Sequence, residues 1–473
     1  MKHTGIETIP VIGRYYSYKI ADGEFLNIQH ALPKESFDSK TTARLLSDAK
    51  SYWKNHKSKD ETISKRRRFI FGLLSDKSVR VADLIVRWNI VRHFYPYYEE
   101  DNLNWDSQLE KYLEEVVQMG NIDSYDSLFE WYDLICRFLN PVKDGHLFVR
   151  RDMKLSSIQS TYLPEYYAGI EYKFVNDTLL INTPIDGKPA WRLVHSFNGE
   201  KIGERMQYCK ETTNAATEEH KDRMAAYKLF YSPVFNTPFI IESSDLSGHM
   251  YQDTLFARSP DVIISKCSYL PIQKFENGIL YIDATSHELN EKHFLSALTP
   301  DIKGICFDLR GLPSYKFEDI LAHLIPFDVK APANEIPINC FPFQQSVSWR
   351  VVSEILKSKK PQITLPTVFI CDASTISWGE TILMMVRHYK LGKIVGQTTA
   401  GTTGDMTLFD LPIFPFSMTG MRMHCMNGER HHAKGIVPDL TIPVYTKDYI
   451  LNFDRVLHTA FEVILYEKIS PDQ

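Results

Sequence analysis

The hydrophobic pattern divides the chain into three stretches with different periodicity. In residues 81–139, apolar side chains recur every three or four positions, which is typical of amphipathic helices. The pattern predicts one helix that stops before Pro96, a second around Leu109–Val117 and a third around Tyr125–Leu139. We interpret the aromatic residues here as the core of a helical bundle; they include Trp88, Phe94, Tyr95 and Trp105.

The middle stretch, from about Tyr166 to Ile241, has the short apolar runs of β-strands. It contains Asn198-Gly199, a dipeptide that favours a two-residue hairpin turn. We therefore expect a small β-rich module, preceded by a short strand over Leu147–Arg150. The strands predicted in the module are Ile170–Phe174, Leu179–Ile181, Leu193–Phe197 and Phe239–Ile241.

From Gly278 onward, predicted strands alternate with predicted helices, which favours a layered α/β core with a mainly parallel sheet. The strands are Gly278–Ile282, Gly304–Leu309, Thr367–Cys371 and Lys393–Val395. One helix face is predicted over residues 317–324, and the apolar run Ile382–Val386 suits a buried helix. Apolar residues after Asp448 predict a closing helix.

Length and charge narrow the function classes. The chain has 473 residues, more than one hydrophobic core usually supports, so several domains are expected. Its formal net charge of −5 disfavours a nucleic-acid-binding function, which usually requires an excess of positive charge. We interpret the basic run at 65–68 as a solvated helix face. No apolar run approaches the ~18 residues of a membrane span. The first residues lack a secretory signal, so we expect a cytoplasmic protein or one whose signal has been removed.

Cysteine and histidine spacing favours neither a disulfide framework nor a metal site. The number of cysteines is odd, none form a C-x-x-C pair, and several lie in apolar strands, so we expect buried free thiols. His431 and His432 are adjacent and would face opposite sides of a strand, which makes a poor chelating pair. The seven cysteines are Cys136, Cys209, Cys267, Cys306, Cys340, Cys371 and Cys425.

Ser377 stands where a predicted buried strand turns into a predicted helix. Helix N–H groups and the positive end of the helix dipole would stabilise an oxyanion formed there. A structural interpretation is also open, because Ser377-x-x-Glu380 fits a capping box in which the serine only satisfies backbone donors. His146, in the turn after Asp144-Gly145, is a candidate general base only if the fold brings it to Ser377. The Gly/Thr loop at 398–404 lacks the P-loop pattern, and we interpret it as a plain turn rather than a phosphate cradle.

Seven segments in their order along the chain resemble the C-terminal processing (tail-specific) serine peptidases. The first resembles their helical entry domain and the third the I-x-x-I-N-G part of their PDZ-like module. The others match D-G-H, D-L-R, T-A-S-A-x-E, V-G-x-x-T-x-G and G-I-x-P-D. In chain order the segments are Trp88–Asp106, Asp144–His146, Leu193–Glu200, Asp308–Gly311, Thr375–Glu380, Val395–Gly401 and Gly435–Asp439.

This resemblance implies an α/β fold with three parts. They are an N-terminal helical bundle, a degenerate PDZ-like β module and a crotonase-like (ClpP/crotonase superfold) core. The domains expected on this basis are 1–75, a segment of unknown role; 76–150, the bundle; 160–245, the PDZ-like module; and 255–473, the peptidase core with its C-terminal helix.

The resemblance also implies serine endopeptidase activity on peptides or protein C-terminal tails, through an acyl-enzyme on Ser377. Thr402 stands where one branch of the family has a catalytic lysine. The chain is therefore more similar to the tricorn-core and retinoid-binding-like branch, whose histidine corresponds to His146. On this basis the N–H groups of Trp378 and Ser314 would form the oxyanion hole, and no cofactor is expected. The expected partner is a peptide or unfolded protein.

Three positions depart from the family pattern. Gly145 replaces a serine, His432 replaces a glutamate, and residues 312–315 replace N-x-G-G. The last change matters for the backbone, because a residue with a Cβ resists the positive φ that glycine allows. The group that would orient His146 stays open among His432, Glu380 and Lys434. Two other functions follow as alternatives: a catalytically degenerate member that binds peptides or lipids, and an acyl-CoA enzyme of the crotonase-like fold, which the helical and PDZ-like segments disfavour.

Overall fold

A computed structural model describes residues 15–21, 24–29, 71–155, 158–161, 166–185, 188–259, 269–339, 347–411 and 413–466. The basic run at 65–68, Cys267, Cys340 and most of the N-terminal segment lie outside the described residues. Strands β1 (Tyr15–Ala21) and β2 (Glu24–Gln29) pair antiparallel.

The predicted bundle is present as consecutive helices. They are α1 (Lys77–Phe94), α2 (Tyr98–Asp101), α3 (Trp105–Gln118) and α4 (Tyr125–Leu139). Asp76 caps α1 by accepting from the N–H of Ser78, and a capping box at Ser124 opens α4. Three of the four aromatic residues predicted for the core are buried, but the prediction is wrong for Phe94, which is 46% exposed in the last turn of α1 and contacts Phe409.

The β-rich stretch forms an antiparallel sheet with two covering helices, together with shorter strands that pair outside this sheet. Its elements are β3 (Phe148–Val149), β4 (Asp152–Leu155), β5 (Ile158–Thr161), β6 (Tyr166–Tyr167), β7 (Glu171–Val175), β8 (Thr178–Ile185), β9 (Lys188–Phe197), β10 (Glu200–Lys201), α5 (Ile202–Glu211), α6 (Glu218–Leu229), β11 (Tyr231–Ser232), β12 (Thr237–Ser244) and β13 (Met250–Ala257). The strand order is β13-β12-β9-β8-β7. Asn198 and Gly199 both take the positive φ expected of the predicted hairpin turn, which joins β9 to β10.

The remaining described residues contain the predicted α/β core. Its elements are β14 (Ile272–Lys274), β15 (Ile279–Asp283), α7 (Glu291–Ala297), β16 (Gly304–Asp308), α8 (Phe317–Leu321), β17 (Val329–Lys330), β18 (Asn334–Asn339), β19 (Val347–Val352), β20 (Ile355–Leu356), β21 (Thr367–Cys371), α9 (Trp378–His388), β22 (Lys393–Gly396), β23 (Met406–Phe409), β24 (Phe416–Thr419), β25 (Arg422–Met423), β26 (Leu440–Thr441), α10 (Thr446–Ile450) and α11 (Arg455–Tyr466).

The central sheet has the order β14-β15-β16-β21-β22-β26 and is parallel except for β14. Strands β16 and β21 are buried along their whole length, which is why their sequences are continuous apolar runs rather than alternating ones. One face packs with α8 and α9, and the other packs with α11. Four cysteines are buried free thiols as expected, namely Cys136, Cys209, Cys306 and Cys371.

Two helix predictions need correction. The helix predicted over residues 317–324 ends at Leu321. The single closing helix predicted after Asp448 is interrupted, because Asp454 accepts from the N–H of Leu457 at the start of α11 and also binds Arg310. Among the described residues, no helix combines the length and the apolar character needed to cross a membrane.

Contacts between the bundle and the core position the functional site. The guanidinium of Arg87 on α1 donates to the carbonyls of Ile413 and Phe414, and β3 pairs with β24 directly after the Asp144–His146 turn. At the same time, the carboxyl ends of the parallel strands meet at one edge of the sheet, where open α/β sheets usually bind ligands. The turn that carries His146 is therefore held beside the loop that carries Ser377.

Candidate active site

Ser377 occupies a strained turn between β21 and α9. Its φ is 59° and its ψ is −120°, a backbone conformation that L-residues rarely adopt and that costs on the order of 1–3 kcal/mol. The turn is held from outside, since the N–H of Ser377 donates to the carbonyl of Thr402 at 2.8 Å. A sharp, strained turn from strand to helix is also what presents the nucleophile in unrelated hydrolases.

The capping-box interpretation of Ser377 is wrong. Ser377 precedes the first residue of α9, but its side chain makes no capping hydrogen bond. The carboxylate of Glu380 does not reach back to Ser377 but accepts from the N–H groups of Gly401 and Thr402, both at 2.8 Å, and from the hydroxyl of Thr399. Within the described part of the chain, the hydroxyl of Ser377 is left without a hydrogen-bond partner.

His146 is buried and oriented through a hydroxyl group. Its Nδ1 lies 3.0 Å from Oγ1 of Thr419, and that hydroxyl donates to Oδ1 of Asp144 at 2.8 Å. Because Thr419 donates its hydroxyl proton to Asp144, its oxygen can only accept a hydrogen bond from the imidazole. This assigns the ring proton to Nδ1. The lone pair on Nε2 is then available to accept a proton.

Burial lowers the pKa of His146 below its usual value, and the negative charges of Asp144, Glu380 and Asp405 oppose this shift. The imidazole is consequently neutral at pH 7, as a general base must be. The lowered pKa and the Nδ1 proton together make His146 competent to accept a proton at Nε2.

Thr402 joins the turn of His146 to the turn of Ser377. Its hydroxyl accepts from the N–H of Gly145 at 2.8 Å, and its carbonyl accepts from the N–H of Ser377. A Cβ at Gly145 would lie 3.0 Å from both Ile376 Cδ1 and Thr402 Oγ1, so the two turns are in close contact where the family has a serine. Between the described side chains of Ser377 and His146 there is no direct hydrogen bond.

The two N–H groups predicted for an oxyanion hole behave differently. Trp378 is the first residue of α9, and within the described residues its N–H has no acceptor, as expected of a first helical turn. The N–H of Ser314 instead donates to the carbonyl of Ala284 at 2.8 Å. In this structure Ser314 therefore supplies no donor, although its loop reaches the start of α9, where Pro313 packs against Gly379.

None of the groups considered for orienting His146 binds it. The ring of His432 stacks on Tyr97 with 3.7 Å between ring centroids, and its Nε2 lies 3.0 Å from Tyr95 Oη and 3.1 Å from Asp101 Oδ2. Glu380 is bound to the 399–402 loop and lies 3.0 Å from Nε2 of buried His431, while Lys434 is exposed. The orienting pair is Asp144 and Thr419 instead.

Sequence reasoning missed this pair for a simple reason. Asp144 is visible in the D-G-H segment, but Thr419 lies 273 positions from His146 and belongs to none of the recognisable segments. Only the pairing of β24 with β3 brings its hydroxyl to the imidazole.

The other recognisable segments tie the loops of the site together. The hydroxyl of Thr375 donates to the carbonyl of Leu309 at 2.7 Å, and Arg310 bridges the carboxylates of Asp308 and Asp454. Gly435 has a φ of 72°, and a Cβ there would lie 2.5 Å from the carbonyl oxygen of Thr399. Close approach of two backbones therefore requires glycine at this position.

Comparison with known proteins gives one family match and several similar folds. Residues 338–442 match the model of peptidase family S41. The fold is similar to that of mature CPAF in complex with lactacystin, with a TM-score of 0.63 and 10% identity over 82% of this chain and 99% of that chain. A second crystal structure of mature CPAF gives a TM-score of 0.62 at 10% identity over 83% of this chain and 98% of that chain. A search of curated proteins by sequence found no match.

At this identity the likeness to CPAF concerns the fold alone, while the match to family S41 concerns the sequence of the segment that includes Ser377. The family match supports a serine-type peptidase of the S41 kind. The particular branch of the family stays a prediction.

Proposed function

We propose that this protein is a serine endopeptidase that cleaves peptides or protein C-terminal tails through an acyl-enzyme on Ser377. The observation that carries the proposal is the backbone of Ser377, with its φ of 59° and ψ of −120° at the start of α9. A serine that only capped the helix would take an extended conformation and bond its hydroxyl to the helix. The strained turn instead frees the hydroxyl and leaves the N–H of Trp378 beside it.

The proposed chemistry uses His146 as general base. Oγ of Ser377 attacks the scissile carbonyl while its proton passes to Nε2 of His146. Nδ1 keeps its proton and donates it to Oγ1 of Thr419, whose hydroxyl donates to Asp144, so the developing positive charge faces a carboxylate through one hydroxyl. The N–H of Trp378 donates to the oxyanion. His146 then protonates the leaving amine, and water hydrolyses the acyl-enzyme without a cofactor.

A second candidate is a catalytically degenerate member of the family that binds peptides. It is favoured by one observation, the N–H of Ser314, which is engaged with Ala284 and leaves the oxyanion only one donor among those predicted. Loss of one such donor costs about 10²–10³ in rate, so the proposed peptidase would be slow rather than inactive.

The test is labelling with a fluorophosphonate probe followed by peptide mapping, on the wild-type protein and on Ser377→Ala. The matched control is Ser374→Ala, because the hydroxyl of Ser374 is engaged with Asp372. We expect labelling that maps to Ser377, is lost in Ser377→Ala and persists in Ser374→Ala. No labelling between pH 6 and pH 9 would overturn the proposal in favour of the binding protein.

A further inference from the structure

A cavity of about 270 Å³ lies between α4 of the bundle and the β module, and none of the residues proposed for catalysis lines it. Its walls come from α4, α5, α6, β9, β11 and β12. Aromatic rings make up much of the lining; they are Phe129, Tyr132, Phe197, Tyr208, Tyr231 and Phe239. The volume is near the lower end for small-ligand pockets.

Three cations line the same cavity. The guanidinium of Arg151 lies 3.7 Å from the ring centroid of Tyr231, a cation–π contact. The guanidinium of Arg205 lies 5.2 Å from the ring centroid of Tyr208, and its buried Nε has no acceptor among the described residues. Lys228 on α6 donates to the carbonyl of Thr212 and, at 3.1 Å, to its hydroxyl.

The cavity has more positive than negative charge. Over the described residues, neither Arg205 nor Lys228 forms a salt bridge. Asp133 is the carboxylate among the lining residues, and it already accepts from the hydroxyl of Tyr208 at 3.0 Å and from Arg137 at 3.2 Å. Removing a cation from water without a counter-charge is unfavourable, and burial accordingly lowers the pKa of Lys228.

We propose that this cavity binds a small organic anion, a carboxylate attached to an apolar or aromatic body. Lys228 and Arg205 supply the charge-assisted hydrogen bonds that a carboxylate accepts, and the aromatic walls cover the apolar body. An inorganic anion would leave the rings without a partner, and a neutral apolar molecule would leave the two cations unpaired. The site is independent of the peptidase proposal, since it shares no residue with it.

The test is isothermal titration calorimetry of the full chain with 3-phenylpropionate and octanoate. The matched probes are 3-phenylpropan-1-ol and octan-1-ol, which keep the body without the charge, and inorganic phosphate, which keeps the charge without the body. We expect both carboxylates to bind more tightly than any of these three probes. Equal binding of the alcohols, equal binding of phosphate or no binding of either carboxylate would overturn the proposal.

Variants then locate the site. Lys228→Gln should weaken carboxylate binding on the order of 10- to 100-fold, since a hydrogen bond to a charged group is lost. Lys221→Gln is the matched control, because it removes the same charge from the same helix while Lys221 bonds Asn140 outside the cavity. If Lys228→Gln fails to fold, Arg205→Gln provides a second test of carboxylate affinity. Unchanged affinity in a folded variant at either position would contradict the location of the site in this cavity.

Discussion

Two loops meet at the first turn of α9, and only one of them keeps the sequence pattern of the family that the chain resembles. The turn of Ser377 has a strained backbone, a hydroxyl that bonds no described residue and an N–H group at Trp378 without an acceptor among the described residues. The loop at 312–315 reaches the same place, but its Ser314 N–H is bonded to Ala284. Under the proposed mechanism, the turn that would present the nucleophile therefore follows the family pattern, whereas the loop that would supply the second oxyanion donor does not.

The difference has a physical cause in each loop. The Ser377 turn is held by bonds from outside, through the carbonyl of Thr402 and the Glu380 carboxylate that holds the 399–402 loop. The other loop contains Pro313, which has no N–H to donate, and Ser314, whose Cβ resists the positive φ that glycine allows. The first turn therefore keeps its strain, whereas the second settles into an ordinary internal hydrogen bond.

The largest effect is expected from removal of the proposed general base. His146→Gln should lower the rate of fluorophosphonate labelling at Ser377 by about 10²–10⁴, because proton transfer in the transition state is lost. Labelling rates of the purified proteins measure this directly. His195→Gln is the control, since His195 is exposed in the β module and bonds Ser244. An unchanged labelling rate in His146→Gln would show that His146 does not act as the general base.

Restoring the family loop should act in the opposite direction. Ser314→Gly with Tyr315→Gly should raise the labelling rate, by at most the 10²–10³ or so that one oxyanion donor contributes. The single change Ser314→Ala is the control, because it removes the side chain but keeps a Cβ. If the double glycine variant labels no faster than wild type while its thermal unfolding is unchanged, the contrast between the two loops does not limit the activity.

Thr419 offers a smaller and more specific effect. Thr419→Val removes the hydroxyl between His146 and Asp144 at nearly constant volume, and should slow labelling about 10- to 100-fold, since a buried hydrogen bond to a charged group contributes roughly 1.5–3 kcal/mol. Thr419→Ser keeps the hydroxyl and should retain most of the rate. Equal rates for the valine and serine variants would exclude the hydroxyl as the link to Asp144.

The smallest effect concerns pH. Because burial lowers the pKa of His146, the labelling rate should be level near pH 7 and above and fall as pH drops through that pKa. The free energy of unfolding should change in the same sense. The contribution of His146 should be constant above about pH 6.5, the pKa of a histidine in the unfolded state, and the free energy should decline as pH falls below that value, because the unfolded state binds the proton more readily. Rates and chemical denaturation measured from pH 5 to pH 8 test both, and a rate that rises on acidification would contradict a neutral base.

Much of the architecture could be predicted from the sequence where one periodicity dominates. The bounds predicted for α4 and β21 agree with the structure, because an amphipathic helix and a fully buried strand each have a pattern that is hard to mistake. Predictions were weaker where a long-range polar contact intervenes. Asp454 splits the closing helix because it binds Arg310, a residue 144 positions away.

The candidate site likewise combines residues that local segments identify with contacts that depend on distant parts of the chain. Ser377 and His146 could be singled out from local segments, but whether Ser377 caps a helix or presents a hydroxyl depends on its φ and on Thr402. Residues in a motif carry information about local backbone, whereas Thr419 and the engaged N–H of Ser314 depend on neighbours that lie far away in the chain.

Local sequence is enough to predict the helical, β-rich and α/β stretches and the order of the segments that resemble a serine peptidase, because periodicity and short motifs are local properties of the chain. The contacts between those segments depend on the tertiary structure. It bonds Thr419 between His146 and Asp144 and turns the N–H of Ser314 toward Ala284. Among the described residues, it also leaves Arg205 and Lys228 without a salt bridge in an aromatic cavity. Hydrogen-bond and charge partners are set by packing between distant residues, and no local pattern encodes them.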